Sequence, residues 1–157
     1  MADPIDTVLK NEGGVVNDPQ DKGGLTAFGI SQSANPEAFA SGLPTEDQAR
    51  AIYQAKYVVG PHFDLITDNQ LRTQLIDFGV NSGPSVAIQK LQALLGLPQD
   101  GVLGPQTLAA VATHHAEDLN NGLVVARVKM IGKIVTNNSS QLKFLNGWLD
   151  RALQFLG

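Results

Sequence analysis

The stretch that decides the fold runs Glu12-Gly13-Gly14-Val15-Val16-Asn17-Asp18-Pro19-Gln20-Asp21-Lys22-Gly23-Gly24-Leu25-Thr26-Ala27-Phe28-Gly29-Ile30. Ahead of it, Asp3-Pro4 reads as an N-cap with proline at the first helical position. Ile5, Val8, Leu9 and Glu12 follow at i, i+3, i+4 and i+7, one face of a short helix that Gly13-Gly14 ends. The next residues change period. Val15-Val16, a polar stretch Asn17–Lys22 and the alternation Thr26, Phe28, Ile30 predict a small antiparallel ribbon, the one strand region of the chain.

Everything beyond reads as helix. Thr45 with Gln48 is a capping box opening a helix that carries Ala49, Ile52, Tyr53 and Tyr57. A helix from about Asp68 presents Leu71, Leu75 and Phe78. Gly83-Pro84 opens the next, which Gly96 closes, and Gly104-Pro105 opens a short one through Val111. Two longer helices, roughly 117–135 and 139–156, finish the chain. The expected class is mostly α (α+β), a helical bundle lobe with a small N-terminal β-hairpin. With 157 residues and 43% hydrophobic content, one body with a substantial core is expected.

Composition excludes several chemistries. There is no cysteine, so disulfides, thiolate nucleophiles and Cys-based metal sites are ruled out. His114 and His115 are adjacent on a helix and point about 100° apart, and with His62 they make no metal-ligand spacing; no metal or cofactor is expected. Asp100-Gly101 is read as a turn rather than a calcium loop, Met130 and Trp148 as core, and no serine sits in a Gly-x-Ser-x-Gly elbow. A net charge of −4 argues against nucleic acid. Residues 1–77 hold 5 Lys/Arg against 11 Asp/Glu, and residues 78–157 hold 6 against 4. That basic excess (Arg127, Lys129, Lys133, Lys143, Arg151) fits either a solvated helical face or attraction to an anionic cell wall. No apolar run is long enough to span a bilayer. The N-terminus lacks a secretory leader, so release by another route, or after loss of a leader, is expected.

Glu12 leads the candidates for chemistry. Its phase places it with the inward residues, and the helix C-terminus opposes negative charge; both favour a protonated carboxyl, the form a general acid needs. Gly13-Gly14 leaves room for a bulky polymer. The ribbon offers Asp18, Asp21 and Thr26 as partners. Two carboxyls flanking a cleft, one protonated and one ionised, is what glycoside hydrolysis requires, with Thr26 placing water. Turn chemistry alone also accounts for Asn17-Asp18-Pro19.

Glu12-Gly13-Gly14, Asn17-Asp18-Pro19, Asp21, Gly23-Gly24, Thr26 and Gly29-Ile30 together resemble the N-terminal signature of the glycoside hydrolase family 108 lysozymes. The order Glu, Asp, Thr is similar to the catalytic trio of phage lysozymes. Asp77-Phe78, Asn81-Ser82-Gly83-Pro84, Ala87-Ile88, Leu91-Gln92, Asp100-Gly101, Gly104-Pro105 and Thr107 resemble the peptidoglycan-binding region of that family. Phe144-Leu145, Gly147-Trp148 and Arg151 are similar to its closing helix. The resemblance implies a lysozyme-like body with a catalytic region over 1–80 and a helical region over 81–157. It implies an endolysin-type, bacteriolytic N-acetylmuramidase acting on peptidoglycan as a monomer. Glu12, Asp21 and Thr26 take the catalytic positions, and Tyr57, Asp77 and Asn81 line the cleft. The chain departs from the family where Val15 follows Gly-Gly in place of an aromatic and where Val58 replaces a tryptophan. A lytic transglycosylase and a non-catalytic wall-binding module are the alternatives.

Overall fold

A computed structural model describes residues 3–17 and 24–157. The chain divides into two compact units, Met1–Gly60 and Pro61–Gly157. Asp18 and Asp21 lie outside the described residues.

The first unit opens with α1, Pro4–Glu12. Asp3 caps it, its Oδ1 accepting from the Ile5 N–H at 2.8 Å. Ile5, Val8 and Leu9 are buried, as their phase predicts. Three short strands follow, β1 (Val15–Asn17), β2 (Leu25–Ala27) and β3 (Ile30–Ser31), antiparallel in the order β1-β2-β3. Val15 pairs with Ala27, and Thr26 pairs with Ser31. The expected alternation through Phe28 is interrupted. Phe28 (φ +52°) and Gly29 (φ +77°) form a two-residue turn between β2 and β3, both in the left-handed region that tight hairpins favour. The ribbon is thus a three-stranded meander.

The capping box predicted at Thr45 opens α2, Glu46–Gln54. Thr45 Oγ1 accepts from the Gln48 N–H at 3.2 Å, and Gln48 Oε1 accepts from the Thr45 N–H at 2.9 Å. Arg50 reaches Asp6 at 2.5 Å, joining α2 to α1 across the surface. The helix then widens into a π-turn, Ala55–Val59, closed by the Gly60 N–H on the Ala55 carbonyl at 2.8 Å.

The second unit is helical. It comprises α3 (Asn69–Ser82), α4 (Pro84–Leu94), α5 (Pro105–Ala112), α6 (Ala116–Asn137) and α7 (Leu145–Leu153). The last helix is shorter than its apolar pattern suggested, because Ser139–Phe144 winds as a 3₁₀ segment ahead of it. From Gln74 to Gly79 every residue of α3 is buried, the mark of a helix enclosed on all sides. It packs against α4 and α6, and α6 also carries α7. Between α4 and α5, buried Gln92 fixes the Asp100-Gly101 turn. Its amide donates to Asp100 Oδ1 (2.7 Å), the Val102 carbonyl (3.0 Å) and Thr107 Oγ1 (3.2 Å), and its oxygen accepts from the Gly101 N–H (3.0 Å). The Gln92 amide and the Val102 N–H hold the Asp100 carboxyl below the usual carboxylate range.

Asp77 ties three helices together. It is 4% exposed, and its two oxygens accept from Arg127 Nη2 at 2.7 Å and Arg151 Nε at 2.9 Å. The Arg127 guanidinium also lies 5.0 Å from the Phe78 ring centroid and 5.6 Å from that of Phe155. Burial pushes the Arg127 pKa down, and Asp77 opposes that shift. One carboxylate serves two arginines, so its removal leaves both guanidinium charges without compensation. Asp77→Asn is expected to cost about 3–5 kcal/mol, read as a lower urea midpoint with unchanged slope; a loss under about 1 kcal/mol would show the triad to be dispensable.

Candidate active site

In the first unit, α1 delivers Glu12 as its last residue. The inward stripe stops short of it. Glu12 is exposed while Ile5, Val8 and Leu9 are buried, so the expectation that it packs inward is corrected. Helical phase placed it on the right side, but the helix ends where the core ends. The chain leaves through Gly13, whose N–H donates to the Leu9 carbonyl at 2.9 Å, and Gly14, whose carbonyl accepts from the Phe28 N–H at 3.0 Å. That second bond draws the β2–β3 turn back over the end of α1.

Tyr53 of α2 holds the turn from the other side. It is buried, and its hydroxyl donates to the Phe28 carbonyl at 2.9 Å. A Cβ on Gly29 would lie 2.6 Å from Tyr53 Oη and 3.0 Å from both Cβ and Oε2 of Glu12. The Glu12 carboxyl, the Tyr53 hydroxyl and the bare backbone of Gly29 therefore meet at one point. Tyr57 extends the cluster: its ring stacks on Tyr53 at 5.7 Å between centroids, and Lys56 Nζ lies 5.3 Å from its centroid. Thr26 sits half-buried in the central strand of the same unit. The sequence reading used Tyr53 only as an apolar helix position. The signal available was its i, i+4 spacing to Tyr57, together with the need of a buried phenol for a partner.

The two departures from the family pattern separate here. Val15 is 52% exposed, so an aromatic at that position would face solvent or ligand. Val58 is 6% exposed within the π-turn, and its replacement concerns packing.

The other expected cleft residues belong to the second unit. Asp77 is engaged by Arg127 and Arg151. Asn81 is exposed and borders a cavity of about 140 Å³ with Ser82, Arg127 and Trp148. Trp148, expected in the core, is half-buried at that cavity with the Phe144 ring 5.5 Å away. The 3₁₀ segment leaves it near the start of α7, where packing is incomplete.

Residues 5–83 match the family described as "Glycosyl hydrolase 108", and residues 86–153 match "Predicted Peptidoglycan domain". The chain belongs to the glycosyl hydrolase 108 family. Among solved structures, this glycosyl hydrolase 108 chain is similar to Brucella abortus SagA, at a TM-score of 0.70 and 31% identity over 96% of this chain and 92% of that one. No curated protein matches it. The mostly helical, lysozyme-like fold expected from the sequence is borne out. The family and the second match make it a glycoside hydrolase of lysozyme type that acts on peptidoglycan. Among the described residues no helix is long and apolar enough to cross a membrane.

The Gly29 contact generates a direct test. Gly29→Ala combines a left-handed backbone, costing about 1–2 kcal/mol for a residue with a Cβ, with displacement of either Tyr53 or Glu12. It is expected to lower stability by at least that amount in urea unfolding and to lower peptidoglycan turnover at matched folding. Unchanged turnover in a folded variant would show that the position of the Glu12 carboxyl does not depend on this approach.

Proposed function

We propose that this glycosidase is an N-acetylmuramidase, hydrolysing the β-1,4 bond between N-acetylmuramic acid and N-acetylglucosamine. The observation that carries the reading is the setting of Glu12. An exposed carboxyl lies at a helix end, beside a turn held by Tyr53 and stripped of side chain at Gly29, where a glycan strand can approach. Glu12 donates a proton to the leaving glycosidic oxygen. The sugar rings that cover it exclude water, the condition under which a carboxyl acts as an acid rather than a solvated anion.

Asp21 is the second carboxyl in this proposal. Ionised, it steadies the oxocarbenium-like transition state or activates water, and Thr26 orients that water. Tyr57 offers a ring face for a sugar, and Asn81 a polar contact. Residues 1–80 act as the catalytic region and 81–157 as the helical, wall-engaging region; family matches ending at residue 83 and resuming at 86 support that division. The enzyme works at the cell wall after release and lyses it, as an endolysin does.

Two experiments test the assignment. Loss of turbidity of purified peptidoglycan is expected for the parent and to fall by about 10²-fold or more for Glu12→Gln at matched circular dichroism. Substantial clearing by Glu12→Gln removes it as the acid. Wall binding by the parent without any clearing points instead to a non-catalytic module. Products are expected to carry free reducing ends; 1,6-anhydro ends would replace hydrolysis by transglycosylation. In the second experiment, Asp21→Ala is expected to stay folded with turnover reduced at least tenfold. Near-parental turnover moves the second carboxyl to Asp18 or abolishes that role.

A further inference from the structure

On α6, Ala126, Lys129, Met130, Lys133 and Thr136 fall at i, i+3, i+4, i+7 and i+10 and so share one face. With Lys90 of α4 they line a concavity of about 530 Å³ within the second unit. Lys129 and Lys133 are exposed and Lys90 is half-buried. None of the three ammonium groups has an ion-pair partner among the described residues, and no Asp or Glu lines the concavity. Like charges one helical turn apart disfavour a helix, so nothing in the folding of α6 calls for this arrangement. Met130, expected from the sequence as core, is half-buried and belongs to the floor of the groove.

We propose that this groove binds the carboxylates of the peptide stems of peptidoglycan. The proposal rests on peptidoglycan being the substrate and adds the part of it that the second unit reads. Charge complementarity points to an anion. No aromatic side chain lines the groove, which argues against a sugar face as the occupant, since sugars stack on rings. An apolar floor of Met130 and Ala126 between lysines suits a short chain of small amino acids bearing carboxylates. A phosphate polymer gains nothing from such a floor. The stems flank every glycan linkage, so the groove grips the wall without occupying the scissile bond.

The experiment uses the full chain carrying Glu12→Gln, so that the wall is not consumed, with and without K90Q/K129Q/K133Q. Co-sedimentation is measured with sacculi stripped of accessory polymers, and binding to the soluble, stem-free glycan strands that amidase releases from them is measured by fluorescence anisotropy. The triple variant is expected to bind intact stripped sacculi at least tenfold more weakly at low ionic strength, with a shallower salt dependence. It should bind stem-free glycan as its parent does. K90R/K129R/K133R, which keeps the charge, should keep the binding. Equal affinity of the glutamine variant for intact sacculi overturns the proposal, as does an equal loss on stem-free glycan or failure of the arginine variant. Turnover of stem-free glycan by the chain with Glu12 intact reads the muramidase proposal separately. Its absence, alongside lysine-dependent binding to intact sacculi, would sink the reaction and leave the groove standing.

Discussion

The first unit depends on a missing side chain. Gly29 has to adopt a left-handed conformation, and a Cβ on it would fall where Tyr53 Oη and the Glu12 side chain already converge. Either demand alone favours glycine; together they leave no alternative without movement of a neighbour. From that approach the rest follows. The Phe28 carbonyl reaches Tyr53, the Phe28 N–H reaches the Gly14 carbonyl, and the sheet lies against the end of α1. A helix of nine residues is too short to hold its last residue by its own hydrogen bonds. The position of Glu12 is imposed from outside the helix, by a turn and a phenol.

This division explains what could be read in advance. Caps and breakers are local, so Asp3, Thr45 with Gln48, Asp68, Gly83-Pro84 and Gly104-Pro105 mark their helices in the sequence where the structure has them. The turn at Phe28 was missed because a phenylalanine with positive φ has no signature in an alternating pattern, and a two-residue strand such as β3 is below the length at which period two is visible. Glu12 was legible as a position but not in its exposure, since a helical wheel says which side faces inward and not where the interior stops. Tyr53 was read for its apolar body alone, and its hydroxyl acts through a contact 25 residues away in sequence. The roles of Asp77 and Trp148 likewise depend on distant helices, Asp77 on arginines 50 and 74 residues further along the chain.

Five of the six basic residues of the second half fall into two populations that composition could not separate; the sixth, Lys143, lies over the Phe144 ring. Arg127 and Arg151 turn inward to a shared carboxylate, an arrangement suited to the planar, multiply donating guanidinium. Lys90, Lys129 and Lys133 turn outward and meet no acid within the described residues. The same sign of charge therefore serves cohesion on one side of α6 and recognition on another. The residue types divide accordingly, with the better buried cation inside and the strongly hydrated one outside.

The π-turn at Ala55–Val59 has a consequence for how the chain tolerates changes of length. Such a turn holds one residue more than an α-turn, and the backbone can absorb the loss of that residue by closing into ordinary helix. A single deletion between Ala55 and Val59 would then preserve the hydrogen-bonded ladder and leave the residues beyond it in their present orientation, whereas in a regular α-helix the same deletion would rotate them by about 100°. The stacking of Tyr57 on Tyr53 is thus fixed by a residue count as much as by the two rings themselves. Relatives one residue shorter between Tyr53 and Tyr57 would bring a different side chain against the Tyr53 ring.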